Sequence, residues 1–158
     1  MSDALDARIE LLIIRSELID LLAEYCECVD DNKLYGLYNV FTPDCVTDYG
    51  EGRGGRVVGA QALIDRIQSV LDGCSRTHHQ IGQQRVKPRT DGGWDVVTYA
   101  LAWHELLSGD IGESHVRYVD RVVRGDGGKW QIAERRLVTL GLEGAFRGIN
   151  YRMLDRGA

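Results

Sequence analysis

The stretch "WDVVTYALAWHELL", Trp94 to Leu107, decides how the second half of the chain is read. Counting back by twos from His104 gives Ala102, Ala100, Thr98 and Val96, while the other set holds Trp103, Leu101, Tyr99 and Val97. Neighbouring side chains on a strand point to opposite faces, so a period of two reads as a β-strand with one small-residue face and one bulky face. Small side chains leave room beneath His104. A cavity is expected there, with Ala100 and Ala102 as candidate substrate-binding positions.

Three further runs share this character: "THHQIGQQRVK" before it, and "ESHVRYVDRVVR" and "KWQIAERRLVTLGL" after it. The connections "PRTDGG", "SGDIG" and "GDGG" are short and rich in turn residues, which predicts an antiparallel meander of four strands. The first half has a helical period instead. From Asp6 to Val29 the residues Ile9, Leu12, Ile13, Leu18, Ile19, Leu22 and Tyr25 recur at helical spacing. "LYGLYNVFTPDC" is read as a short helix stopped before Pro43, followed by a turn at "TPD" and a brief strand through "CVTDYG". "GAQALIDRIQSVLDG" is a further helix ending at Gly73. Helices followed by a curved, mainly antiparallel sheet predict an α+β fold, a cone-shaped α+β barrel with the helices on one sheet face. The tail from Glu143, with Phe146, Tyr151, Met153 and Leu154, is apolar enough to close one end of it.

The 158 residues suit one domain spanning 1–158. A net charge of -5 argues against nucleic-acid binding, which gathers basic residues on one face. Arg15, Glu17 and Asp20 interrupt "LLIIRSELIDLL", so it is too charged and too short to span a bilayer. With no secretion-type start, a cytoplasmic location is expected. Cys26, Cys28, Cys45 and Cys74 lack repeated metal-ligand spacing and are read as reduced, small core residues; no metal site is expected. "GEGRGGR" lacks the GK[ST] ending of a phosphate-gripping loop.

His78 and His79, adjacent on a strand, cannot both face the cavity, and periodicity alone leaves both the set His79, Ile81, Gln83 and the set His78, Gln80, Gly82 open. A histidine facing an apolar cavity suits proton transfer, because its pKa lies near neutrality. It needs an orienting partner, and the first helix ends in "CVDD", offering Asp30 or Asp31.

The helix ending in an aspartate, then "FTPDCVTDYG", "THHQIG" and a meander closing on "GGKWQIAERRL", together resemble the SnoaL-like branch of the nuclear transport factor 2-like superfamily over nearly the whole chain. Within it the pattern is similar to the scytalone dehydratases and the hexachlorocyclohexane dehydrochlorinases. That resemblance implies a catalytic set of His79, Asp30, His104 and Tyr49, with His79 pointing inward and 25 positions before His104. Three positions depart from the dehydratase pattern. Val29 stands where a second tyrosine is expected, and His115 and Arg117 replace a serine and an asparagine on the third long strand. Both are therefore candidate substrate-binding residues, Arg117 toward a carboxylate or enolate oxygen. An ion pair of Arg117 with Asp120 or Glu105 is the competing expectation.

The implied activity is that of a lyase working without cofactor or metal on a small, largely apolar cyclic molecule. The same residues suit an isomerase or cyclase of polyketide or steroid type. A non-catalytic protein holding an apolar ligand in the cone is the alternative. Trp103, Leu101 and Tyr99 on the outer sheet face suit a homodimer or homotrimer.

Overall fold

The computed structural model describes residues 2–149, with side chains from residue 4 onward. Helix α1 (Ser2–Asp30) is followed by a 3-10 turn and the one-turn helix α2 (Leu37–Val40), then strand β1 (Phe41–Asp48), strand β2 (Arg56–Val58) and helix α3 (Ala60–Leu71). The long strands β3 (Cys74–Pro88), β4 (Trp94–Leu106), β5 (Ile111–Arg124) and β6 (Trp130–Gly144) complete the chain. They form one six-stranded sheet in the order β2-β1-β6-β5-β4-β3. Every neighbouring pair is antiparallel except β1 with β6, which is parallel. The sheet curves into the expected cone, open between β2 and β3, and carries three helices.

The stripe that seats α1 on the sheet is Leu18, Leu21, Leu22, Tyr25, Cys26 and Val29, all buried and spaced at three and four residues. Ile9, Leu12, Ile13 and Ile19, expected on the same face, are exposed instead. For Ile9, Leu12 and Ile13 the reason is length, since at 29 residues α1 outruns its contact with the sheet; Ile19 lies within the seated stretch but on the helix side turned from the Leu18–Leu22 stripe. Its end is abrupt. Asn32 takes a left-handed φ of 53°, a conformation asparagine tolerates, and the Lys33 N–H donates to the Cys28 carbonyl.

The segment around Pro43 also departs from expectation. It is strand, not helix and turn, because "FTPD" opens β1. Proline is accommodated by a register shift between Phe41 and Val46, where a missing N–H breaks no ladder bond. The Gln131 side-chain amide, donating to the carbonyls of Tyr38, Asn39 and Phe41, fastens this corner to β6. β2 was not legible in the glycine-rich loop that precedes it.

Two features shape the inner face. Arg135 and Asp120 are fully buried and joined by two hydrogen bonds of 2.9 and 2.8 Å, with the guanidinium against the rings of Tyr118 (4.1 Å) and Tyr25 (4.4 Å). Bulges in β3 and β6 then curl the sheet. At the β3 bulge Gly82 lies close to β4: a Cβ there would sit 3.2 Å from the Tyr99 carbonyl oxygen. The bulge switches the inward set from His79 and Ile81 to Gln84 and Val86, so Gln83 points outward, contrary to simple alternation.

Candidate active site

The alternation of β4 is as expected, with Val96, Thr98, Ala100, Ala102 and His104 buried and Tyr99 exposed. Beneath this face lies a cavity of about 400 Å³, within the range of small-molecule sites. Its walls include His79, Ala102 and His104 from the sheet, Tyr49 after β1, and Ile67, Val70 and Leu71 from α3. Ala100 is buried in the core below the cavity and is not part of its wall.

Asp30, the last residue of α1, meets His79 across the mouth of the cone. Its Oδ1 lies 2.6 Å from His79 Nδ1 and accepts the Thr77 hydroxyl at 2.8 Å, while Oδ2 accepts the His79 main-chain N–H at 2.7 Å. Burial alone would raise the Asp30 pKa; the His79 ring, its backbone N–H and Thr77 outweigh it and hold the carboxyl below its ordinary value. Asp31 faces solvent and pairs with Lys33. His78 is 68% exposed and His79 6%, which settles which histidine faces in. With Nδ1 directed at a carboxylate, the His79 proton resides on Nδ1 and Nε2 keeps a lone pair for the cavity.

His104 stacks edge-on to His79, with ring centroids 5.6 Å apart. Burial, and secondarily the neighbouring His79, pull its pKa down to about 4. It is therefore a neutral imidazole at pH 7, and its Nδ1 is buried without a partner. Phe146 covers it at 5.3 Å between ring centroids. A glycine at 112, opposite His104 on β5, makes this possible, since a Cβ there would come within 2.6 Å of the Phe146 ring. Phe146 thus closes one end, as expected of the tail; Tyr151, Met153 and Leu154 lie outside the described residues.

Tyr49 lines the cavity with its hydroxyl buried and no partner in hydrogen-bond geometry. Tyr25 and Tyr118 stand beside it, their phenols raised well above the ordinary value by burial first. Val29 does occupy the expected tyrosine position, but Tyr25, one helical turn earlier, brings a second phenol to the cavity.

His115 and Arg117 are not part of this site. They pair across the ladder with Leu101 and Tyr99, and cross-strand partners share a face, so both side chains lie on the outer surface. His115 Nε2 lies 3.0 Å from Glu113, and Arg117 rests over the Tyr99 ring. The expected ion pair of Arg117 is also absent among the described residues: Asp120 is bound to Arg135 and Glu105 to Arg76. The inward β5 positions are Ser114 and Val116, so a serine does face the cone.

Sequence reasoning missed Arg53, Arg66, Tyr25, Tyr118 and Ser114. Arg53, on the 3-10 turn after β1, donates to the Ser114 hydroxyl at 3.0 Å. Arg66 of α3 donates to the Gly55 carbonyl at 3.0 Å and lies over the Tyr49 ring. Arginine inside an otherwise apolar helix face was the available signal. All four cysteines are free, and burial raises their thiols, Cys26 to about 12 and Cys45 to about 11, which leaves them unreactive. Among the described residues no group of three or more His, Cys, Asp or Glu is placed to hold a metal ion, and no helix is long and apolar enough to cross a membrane.

Solved structures share this architecture. A scytalone dehydratase-like protein from Novosphingobium aromaticivorans is 21% identical, with a TM-score of 0.76 over 84% of this chain and 87% of that one. The hexachlorocyclohexane dehydrochlorinase LinA-type3 from Novosphingobium barchaimii is 17% identical, with a TM-score of 0.76 over 93% and 99%. ActVI-ORFA from Streptomyces coelicolor is 14% identical, with a TM-score of 0.65 over 80% and 96%. At these identities the likeness is one of fold. No curated protein matches the sequence. Residues 10–136 match the SnoaL-like domain profile, and the chain belongs to the SnoaL-like domain family.

Proposed function

We propose that this protein is a cofactor-independent lyase, acting by a dehydratase-type elimination next to a carbonyl or other activating group on a small, largely apolar cyclic substrate. The observation that carries this reading is the 2.6 Å contact of His79 Nδ1 with Asp30, with the His79 ring in the wall of the cavity. His79 Nε2 takes the proton from carbon, and the C–H electron pair moves toward the activating group as an enolate. The pair then returns to form the C=C bond as the bond to the leaving group breaks with its electrons, and the leaving group takes up the proton carried by the His79 imidazolium, which returns to the neutral ring. Asp30 stabilises the imidazolium so formed, and Tyr49 hydrogen-bonds the activating oxygen. A neutral His104 steadies the leaving group as a hydrogen-bond donor. The dehydrochlorinase and dehydratase-like proteins of the same fold support the reaction class. An isomerisation or cyclisation would begin with the same proton transfer.

The test is exchange of the α-proton of cyclic ketones such as 2-tetralone, followed by NMR in deuterated water, for the native protein and His79→Ala. The variant is expected to lose on the order of 10²-fold or more in rate. An unchanged rate removes His79 as the base and leaves the cone as a ligand-binding cavity.

A further inference from the structure

The two arginines that line the cavity carry an inference about the ligand, resting on the reading of this cavity as the reaction site. Arg66 enters from α3 and Arg53 from the turn after β1. Arg66 is half-buried; among the described residues its guanidinium meets a backbone carbonyl and an aromatic face, and no carboxylate lies within ion-pair distance of it. The Asp48 carboxylate acts on Arg66 from beyond ion-pair distance and accepts the Gly50 N–H through Oδ1. Asp30 is saturated by Thr77 and His79. No Asp or Glu is among the described residues of the cavity wall. Removing a guanidinium from water without a paired counter-charge is unfavourable, and burial, reinforced by Arg53 and only partly opposed by Tyr49 and the Asp48 carboxylate, lowers the Arg66 pKa. Beside Arg66 stands the Tyr49 hydroxyl, buried next to the Tyr25 phenol and without a partner in hydrogen-bond geometry.

We propose that the ligand of this cavity is an organic monoanion: an apolar ring body bearing one carboxylate-like group, held by Arg66 on the side of the cavity where Arg53 also stands, with Tyr49 left to the activating oxygen beside it. A planar guanidinium matches a carboxylate in two hydrogen bonds, and charge-assisted bonds are roughly twice as strong as neutral ones. The apolar walls, Val29, Ile67, Leu71, Val116 and Leu137, accept the ring body.

Calorimetric titration with 2-naphthoate and with 2-naphthamide, which share a ring and differ in charge, tests this. The naphthoate is expected to bind roughly 10- to 100-fold tighter. Arg66→Gln should abolish the preference and Arg66→Lys restore part of it, both with native circular dichroism. A preference below about twofold, a preference that survives Arg66→Gln, or no naphthoate binding at millimolar concentration would each overturn the proposal. His79→Ala separates this from the lyase reading. If naphthoate still binds selectively while native and variant exchange protons alike, the anion site stands and the lyase reading falls. If His79→Ala abolishes exchange but no charge preference exists, only the anion site falls.

Discussion

A single carboxylate, that of Asp30, fixes His79 at two points: the ring Nδ1 through Oδ1 and the main-chain N–H through Oδ2. The end of α1 and the body of β3 are thereby locked in one register, and the tautomer of the His79 ring is set by the same contact that joins helix to sheet.

Replacing Asp30 by Asn keeps the shape and removes the charge. The amide offers an N–H where His79 also presents one, so turnover is expected to fall about 10²-fold while the fold persists, read by rate and circular dichroism. The stability effect has a defined pH window. The folded carboxyl has a lowered pKa, so it stabilises the protein above the unfolded value of about 3.9 and ceases to do so as pH falls through its folded value. Native and Asp30→Asn urea midpoints should therefore differ at neutral pH and converge toward and below pH 4.

His104 behaves with the opposite charge logic. Its folded pKa of about 4 lies below the unfolded value of about 6.5, so the unfolded chain binds its proton more readily. Stability from the neutral ring is fully present above pH 6.5 and is lost as pH falls from there to about 4, by at most on the order of 3 kcal/mol. NMR titration of the ring should show no protonation down to about pH 5; a midpoint near 6.5 would contradict its burial.

Phe146 shields that ring. Phe146→Ala should admit water, move the His104 midpoint back toward 6.5 and raise KM for ring-bearing ligands with a smaller change in kcat, measured by the same titration and by steady-state kinetics.

The Arg135–Asp120 pair supports the cavity floor through Tyr25 and Tyr118. Arg135→Met or Asp120→Leu alone leaves one buried charge and should cost about 3–5 kcal/mol in urea unfolding, whereas the double variant should recover most of it.

The outer sheet face, with Tyr99 exposed beside Leu101 and Trp103, is proposed as the contact between copies in a homodimer or homotrimer. Tyr99→Glu should shift light-scattering mass toward the monomer while leaving cavity binding intact; a native protein of monomer mass would end this proposal.

The α+β class, the four long strands and the face of β4 were legible in the sequence, as was the pairing of His79 with an aspartate at the end of the first helix. Period-two alternation and helical spacing report local geometry directly, and resemblance carried the four polar positions. What the sequence did not determine were relations set between distant segments. The switch at Gln83 comes from a bulge that forms only when β3 pairs with β4. Pro43 sits in a strand because β1 finds β6 as a parallel partner across some ninety residues. His115 and Arg117 face outward, and Ser114 inward, because β5 takes its phase from its neighbours in the ladder. Arg53 and Arg66 reach the cavity only once α3 and the loop before it close over the cone. A one-residue change of phase moves a side chain from one face of a sheet to the other, and pairing, a tertiary event, sets that phase.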